Sequence, residues 1–117
     1  MAVIGWYIAD NPPFTEDLRA DSKTAAWEAL KQHLLPGTRL TGSVYAQAPF
    51  GIFYDAGLGF PVLLEIVEFD PAVRFGKFPD DYPPLGSTVS AELADFLETN
   101  RQIRVSRHYK PASGAAL

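Results

Sequence analysis

The chain has 117 residues, 47% hydrophobic and 13% aromatic, with no cysteine, a formal charge of −4 and a pI near 5.0. That composition fills one core rather than two, leaves no disulfide or thiolate metal site, and argues against a function built on bulk attraction to nucleic acid or anionic lipid. Nothing at the amino end reads as a secretory signal, and every apolar run breaks well short of the roughly 20 residues a membrane span needs, so a cytoplasmic protein with no membrane attachment is expected.

In chain order, Val3, Ile4, Trp6, Tyr7 and Ile8 form an apolar aromatic run that ends at Asp10-Asn11-Pro12-Pro13, which reads as a short strand followed by an extended linker. Asp21 or Ser22 then offers a helix cap. Trp27, Leu30 and Leu34 recur at helical spacing until Pro36-Gly37, predicting an amphipathic helix from about Thr24 to Leu35 whose apolar stripe docks on the rest. Beyond Gly37 the period becomes two. Leu40, Gly42, Val44 and Ala46 alternate with Thr41, Ser43 and Tyr45 along a first long strand. After a corner at Pro49, a second strand puts Ile52, Tyr54 and Ala56 on one face, and Phe53 and Asp55 on the other. Gly57-Leu58-Gly59 is a turn, and Val62 to Val67 is a third, mostly buried strand.

Residues 69–86 crowd four aromatics among four prolines and two glycines, which predicts a loop with one helical turn near Ala72 to Phe75. Ser87 to Ala94 and Gln102 to Arg107 complete the pattern as strands joined by a turn at Glu98-Thr99-Asn100, before a small-residue tail expected to be disordered. The fold class is therefore mainly β, a five-stranded Greek-key barrel with an N-terminal amphipathic helix. Three parts follow: an extension over 1–35, a barrel over 36–108 and a tail over 109–117. Periodicity alone leaves an OB-fold barrel and an SH3-like barrel both open.

Little points to catalysis. His33 and His108 are the only histidines, one at a helix end and one near the tail, with no serine or carboxylate partner legible beside them. Asp80-Asp81 sits in a proline-flanked loop, where it forms turns, and neither a phosphate-cradling glycine loop nor zinc spacing occurs. No enzyme activity, cofactor or metal is expected.

Six pieces in order over residues 36–107 carry a resemblance. Gly37, Gly42-x-Val44, Phe50-Gly51-Ile52-Phe53-Tyr54-Asp55, Val62-Leu63-Leu64-Glu65-Ile66, Gly86-Ser87-Thr88-Val89 and Ile103-Arg104-Val105-Ser106 together resemble the S1-motif RNA-binding family, an OB-fold. The resemblance implies that Phe50 and Phe53 stand on the outer face of the barrel and stack on bases. Reading across from Phe53 lands on Glu65 where the family has a histidine, beside Asp55 on the same outward face. Asp95 fits the family's acidic residue at the end of the fourth strand, while Arg104, with Arg101 and Arg107 near it, supplies the basic residues of the fifth.

On the residues alone, Phe50 and Phe53 could instead be barrel core or sit under the helix. Arg101, Arg104, Arg107 and Lys110 serve equally as a solvated strand edge that discourages aggregation. The expected function is weak binding of single-stranded RNA through an aromatic face. The alternative is a barrel that has lost RNA binding and contacts a protein partner through the aromatic loop over 69–85.

Overall fold

The computed structural model describes residues 2, 3 and 5–107. The tail expected to be disordered, and His108 and Lys110 with it, lies outside the described residues. Seven strands, β1 (Ala2–Val3), β2 (Trp6–Ile8), β3 (Arg39–Ala48), β4 (Gly51–Asp55), β5 (Val62–Glu65), β6 (Thr88–Leu97) and β7 (Gln102–Ser106), form one sheet with two helices, α1 (Thr24–His33) and α2 (Pro71–Arg74). The order is β1-β2-β3-β4-β5-β7-β6, and β6 pairs back onto β3, so the last five strands close into a barrel. Of its five pairings, only β5 with β7 is parallel.

Strand β3 is long enough to serve both ends of the closure. Its first half, Arg39 to Ser43, pairs with β6, and its second half, Ser43 to Ala48, pairs with β4. The N-terminal run is a hairpin rather than a single strand. Gly5, at φ 78°, makes the tight reversal that a side chain would resist, and β2 then pairs with β3 at Gln47 and Ala46.

Helix α1 stops at His33, two residues short of expectation, because Leu35 precedes Pro36 and that position disfavours helical backbone. Its stripe docks as expected: Trp27 is 1% exposed in the main core, and Leu30 and Leu34 pack against that core. Strand β5 ends at Glu65, and Ile66 to Glu68 form a 3-10 turn where the third strand was expected to run on to Val67. Asp70 caps the brief α2 by accepting from the Ala72 N–H at 3.0 Å, close to the helical turn expected there. The aromatic loop mostly belongs to the core. Phe69 and Tyr82 are buried, their rings meeting edge-on at 5.0 Å, and the Tyr82 hydroxyl donates to the Pro49 carbonyl at 2.6 Å.

Two bulges set which side chains face outward. Between Val44 and Ala46 the register with β4 slips by one, so Val44 points into the barrel while Ala46 joins the outer face. Strict alternation, which put both on one face, fails at this point. A second slip between Leu93 and Asp95 leaves Leu93 inside and sets Asp95 opposite Arg104.

The sheet therefore has two apolar layers. Inside are Leu40, Val44, Ile52, Tyr54, Val62, Leu64, Leu93, Ile103 and Val105; outside are Ala46, Phe53 and Leu63, partly covered by Trp6, Ile8, Tyr45 and Leu97.

The glycine between the two phenylalanines has a steric reason. A Cβ on Gly51 would run into the Leu64 carbonyl oxygen and come within 2.9 Å of the Glu65 Cα, both backbone atoms of the adjacent strand. Gly51→Ala is therefore expected to force β4 and β5 apart at about 1–3 kcal/mol, the range for overpacking, measured as a drop in the urea midpoint at unchanged slope. A midpoint within error of the wild type would show that the strands accommodate the methyl group.

Candidate nucleic-acid interface

The outer layer lies over β3, β4 and β5, the face on which OB-folds take oligonucleotides. Phe53 points out of the barrel there, as the resemblance implies, yet it is only 4% exposed. Its cover is Trp6 of β2, whose ring lies over it at 5.5 Å between centroids and 18° between planes. Phe50, in the turn before β4, remains 43% exposed and meets both Trp6 (5.5 Å) and Phe53 (6.0 Å) edge-on.

On the other side of Phe53 come Tyr45 at 6.4 Å and then Phe14 against Tyr45 at 5.7 Å. Five rings, Phe14, Tyr45, Phe53, Trp6 and Phe50, thus run in unbroken contact across this face. Between them opens a cleft of about 250 Å³ lined by Trp6, Ile8, Pro12, Phe14, Tyr45, Ala46, Phe53 and Gln102. Burial pushes the Tyr45 phenol well above its ordinary range, and the Asp55 carboxylate adds to the shift, so the hydroxyl stays neutral.

The charged residues sit beside this row rather than along it. Arg104, on β7 opposite Leu63 of β5, forms a two-pronged pair with Asp95, its Nε donating to Oδ1 at 2.7 Å, and lies 3.6 Å from Glu65 Oε1. The hydrogen bond to Asp95 raises the Arg104 pKa further, so this cation is fixed and largely neutralised where it stands.

Glu65 does face outward, but opposite Gly51, whereas Phe53 pairs with Leu63 and Asp55 lies at the far end of β4. The expected adjacency of Glu65 and Asp55 is thus corrected by the register: the two carboxylates sit at opposite ends of the strand pair.

Arg101 is turned away from the site. At φ 54° in the β6–β7 turn, it sends its guanidinium to the Leu18 and Ala20 carbonyls, both at 3.1 Å, and to Thr24 Oγ1 at 3.0 Å. It clamps the linker to the barrel, and the linker in turn carries Phe14 to its place. Arg107 approaches Asp70 at 3.8 Å.

Sequence reasoning assigned Phe50, Phe53, Glu65, Asp95, Arg101 and Arg104 to the binding face; the structure puts all but Arg101 on the outer side of the barrel and turns Arg101 to the linker. It missed Trp6, Phe14, Tyr45 and Gln102. The one signal for Trp6 was Gly5, a turn residue in the middle of an apolar run.

Among the described residues no group of three or more His, Asp or Glu side chains is placed to hold a metal ion, and no helix is long and apolar enough to cross a membrane. His33 turns its Nδ1 to the Ala29 carbonyl of its own helix at 2.7 Å.

A closed five-stranded barrel with one parallel pairing, between its third and fifth strands, defines an OB-fold. The chain is similar to the solution structure of GSP13 from Bacillus subtilis, with a TM-score of 0.50 and 24% identity over 72% of this chain and 61% of that one. It is also similar to a multidomain protein with nucleic acid binding domains from Streptococcus pneumoniae, with a TM-score of 0.45 and 20% identity over 72% of this chain and 28% of that one. It spans less than two thirds of either chain, and at these identities the likeness is one of fold. No protein-family model matches the chain, and no curated protein does.

Proposed function

We propose that this protein binds single-stranded nucleic acid, RNA by its resemblance to the S1-motif family, weakly and without catalysis, on the aromatic face of the barrel. One observation carries the reading: an unbroken row of five rings lies on the face where this fold takes oligonucleotides, with Phe50 open at one end. Each base stacked on an aromatic ring contributes about 1–3 kcal/mol without regard to sequence. Phe50 and the outward side of Trp6 are the rings a base meets, and Phe53 supports Trp6 from beneath.

Electrostatics adds little to this. Arg104 is held by Asp95 and Glu65, and Arg101 by the linker, so the cations expected to follow the phosphates are engaged within the protein. Lys77, exposed and next to Phe78, which packs edge-on against Tyr7 at 5.8 Å, is a remaining candidate for a phosphate contact.

Binding therefore depends on salt far less than for a basic domain. A single strand loses affinity with a logarithmic slope of about −0.7 for each phosphate neutralised, so one or two contacts give a slope of about −0.7 to −1.4. Titrating a labelled single-stranded oligoribonucleotide from low to moderate salt tests this. No binding at low salt by a folded protein rejects the reading, and a slope steeper than about −3 rejects a stacking-led mode.

A protein partner is the second reading, and Val67 and Phe75 favour it. They are 63% and 80% exposed on either side of Arg74, whose guanidinium lies 4.8 Å from the Phe75 ring. The aromatic loop that was expected to supply that interface is otherwise committed to the core.

A further inference from the structure

We infer that the cleft between the N-terminal segment and the barrel is a pocket for a single nucleobase, distinct from the Phe50 end of the row and walled on one side by Trp6, Pro12 and Phe14, which lie outside the S1-like motif. The inference rests on the nucleic-acid reading for its ligand class. Its geometry is independent of that reading.

Three observations carry it. The first is size: about 250 Å³ falls below the roughly 300–1,000 Å³ of clefts that take drug-sized ligands, so one flat ring system fits where a whole cofactor does not. The second is the walls. Trp6, Phe14, Tyr45 and Phe53 are four aromatic rings around one opening, and Ile8, Pro12 and Ala46 add apolar surface, an arrangement suited to a planar π-system.

The third is the polar group. Gln102, half-buried on β7, lines the cleft, and its side-chain amide has no hydrogen-bond partner among the described residues. An amide presents a donor and an acceptor side by side, the complement of the pattern found along the edges of bases. Gln47, the other amide nearby, contrasts with it: it is buried, and its Nε2 donates to the Pro83 carbonyl at 2.9 Å.

The pocket exists because the linker is held in place. Pro12 and Phe14 supply one wall, and the Arg101 clamp on residues 18, 20 and 24 fixes the chain that carries them. A strand crossing the face thus meets Phe50 and Trp6 at one end of the row and inserts a base beside Phe14 at the other.

The test uses the full chain labelled with ¹⁵N, titrated with AMP, CMP, GMP and UMP. At least one mononucleotide is expected to shift the Gln102 side-chain amide signals and the Tyr45 and Ala46 backbone signals. Phe14→Ala and Gln102→Leu should each weaken that binding about fivefold or more, the equivalent of losing one stacked base or its edge contact. Both variants are checked for a retained wild-type spectrum elsewhere.

Absence of these shifts with all four mononucleotides overturns the pocket. So does binding that survives Phe14→Ala. If an oligoribonucleotide still binds in a Phe50-dependent way in either case, the pocket alone has failed and the nucleic-acid reading stands. Mononucleotide shifts at Gln102 with no binding of any oligonucleotide support the pocket and reject the reading of a strand-binding face.

Discussion

Phe50→Ala is expected to weaken binding of a single-stranded oligoribonucleotide by about 5- to 150-fold, the equivalent of one lost base stack, while leaving the thermal midpoint close to that of the wild type. Phe53→Ala should behave in the opposite way. The two residues belong to one four-residue motif, yet the fold separates their duties. Phe50 is 43% exposed at the edge of β4, and truncating a side chain so open costs the fold little. Phe53 is 4% exposed between Trp6 and the barrel, with Ala46 and Leu63 beside it. Its removal opens a cavity in the outer layer at about 3–5 kcal/mol, and it affects a base stacked on Phe50 only by loosening Trp6. Parallel titrations and urea melts of the two variants separate these roles. Equal loss of affinity with no loss of stability in both would mean that Phe53 meets the ligand directly and that the Trp6 cover opens.

Trp27→Ala is expected to cost the fold as much as Phe53→Ala. The ring is 1% exposed and meets Phe60 and Phe96 edge-on at 4.9 and 5.5 Å, tying α1 to the barrel. Its Nε1 donates to Glu98 at 2.9 Å, and Lys31 holds the other oxygen of the same carboxylate at 2.8 Å. Deleting a buried Trp costs about 3–5 kcal/mol, a large share of the 5–15 kcal/mol that holds a domain together. Trp27→Phe keeps most of the packing and loses only the hydrogen bond, so it should fall at about 1–2 kcal/mol. An unfolding free energy from urea melts for Trp27→Ala within about 1 kcal/mol of the wild type would show that the helix is dispensable to the barrel.

The Glu98 contacts also set a sign for pH. Its hydrogen bond to Lys31, and then that to Trp27, lower the Glu98 pKa in the folded state. The stabilisation is therefore complete above the ordinary carboxylate value and is lost as pH falls through the lowered one.

Much of this architecture was legible in the sequence because it is local. Trp27, Leu30 and Leu34 announce α1 through helical spacing, and the alternation after Gly37 announces β3. The order of strands and the long β5–β6 connection followed from the spacing of six short pieces. What escaped notice depends on contacts between distant residues. A bulge at Tyr45 adds one residue to β3 and reverses the outlook of everything after it, and no local pattern marks that position. Arg101 and Arg104 look alike in the sequence, three residues apart on one basic stretch. One is held by a neighbouring strand and the other by carbonyls some 80 positions earlier, a difference that exists only once the chain has folded. Trp6 over Phe53 is the same kind of fact, and it alters the site most.

That long reach of Arg101 also orders events in time. Residues 18 to 24 are made well before the arginine that holds them, with 77 positions separating it from Thr24. On a growing chain the linker can be tied down only after the last hairpin has left the ribosome. Until then the linker that seats Phe14 against Tyr45 is unsecured, so that end of the outer aromatic layer stays open and adhesive until the β6–β7 turn has emerged.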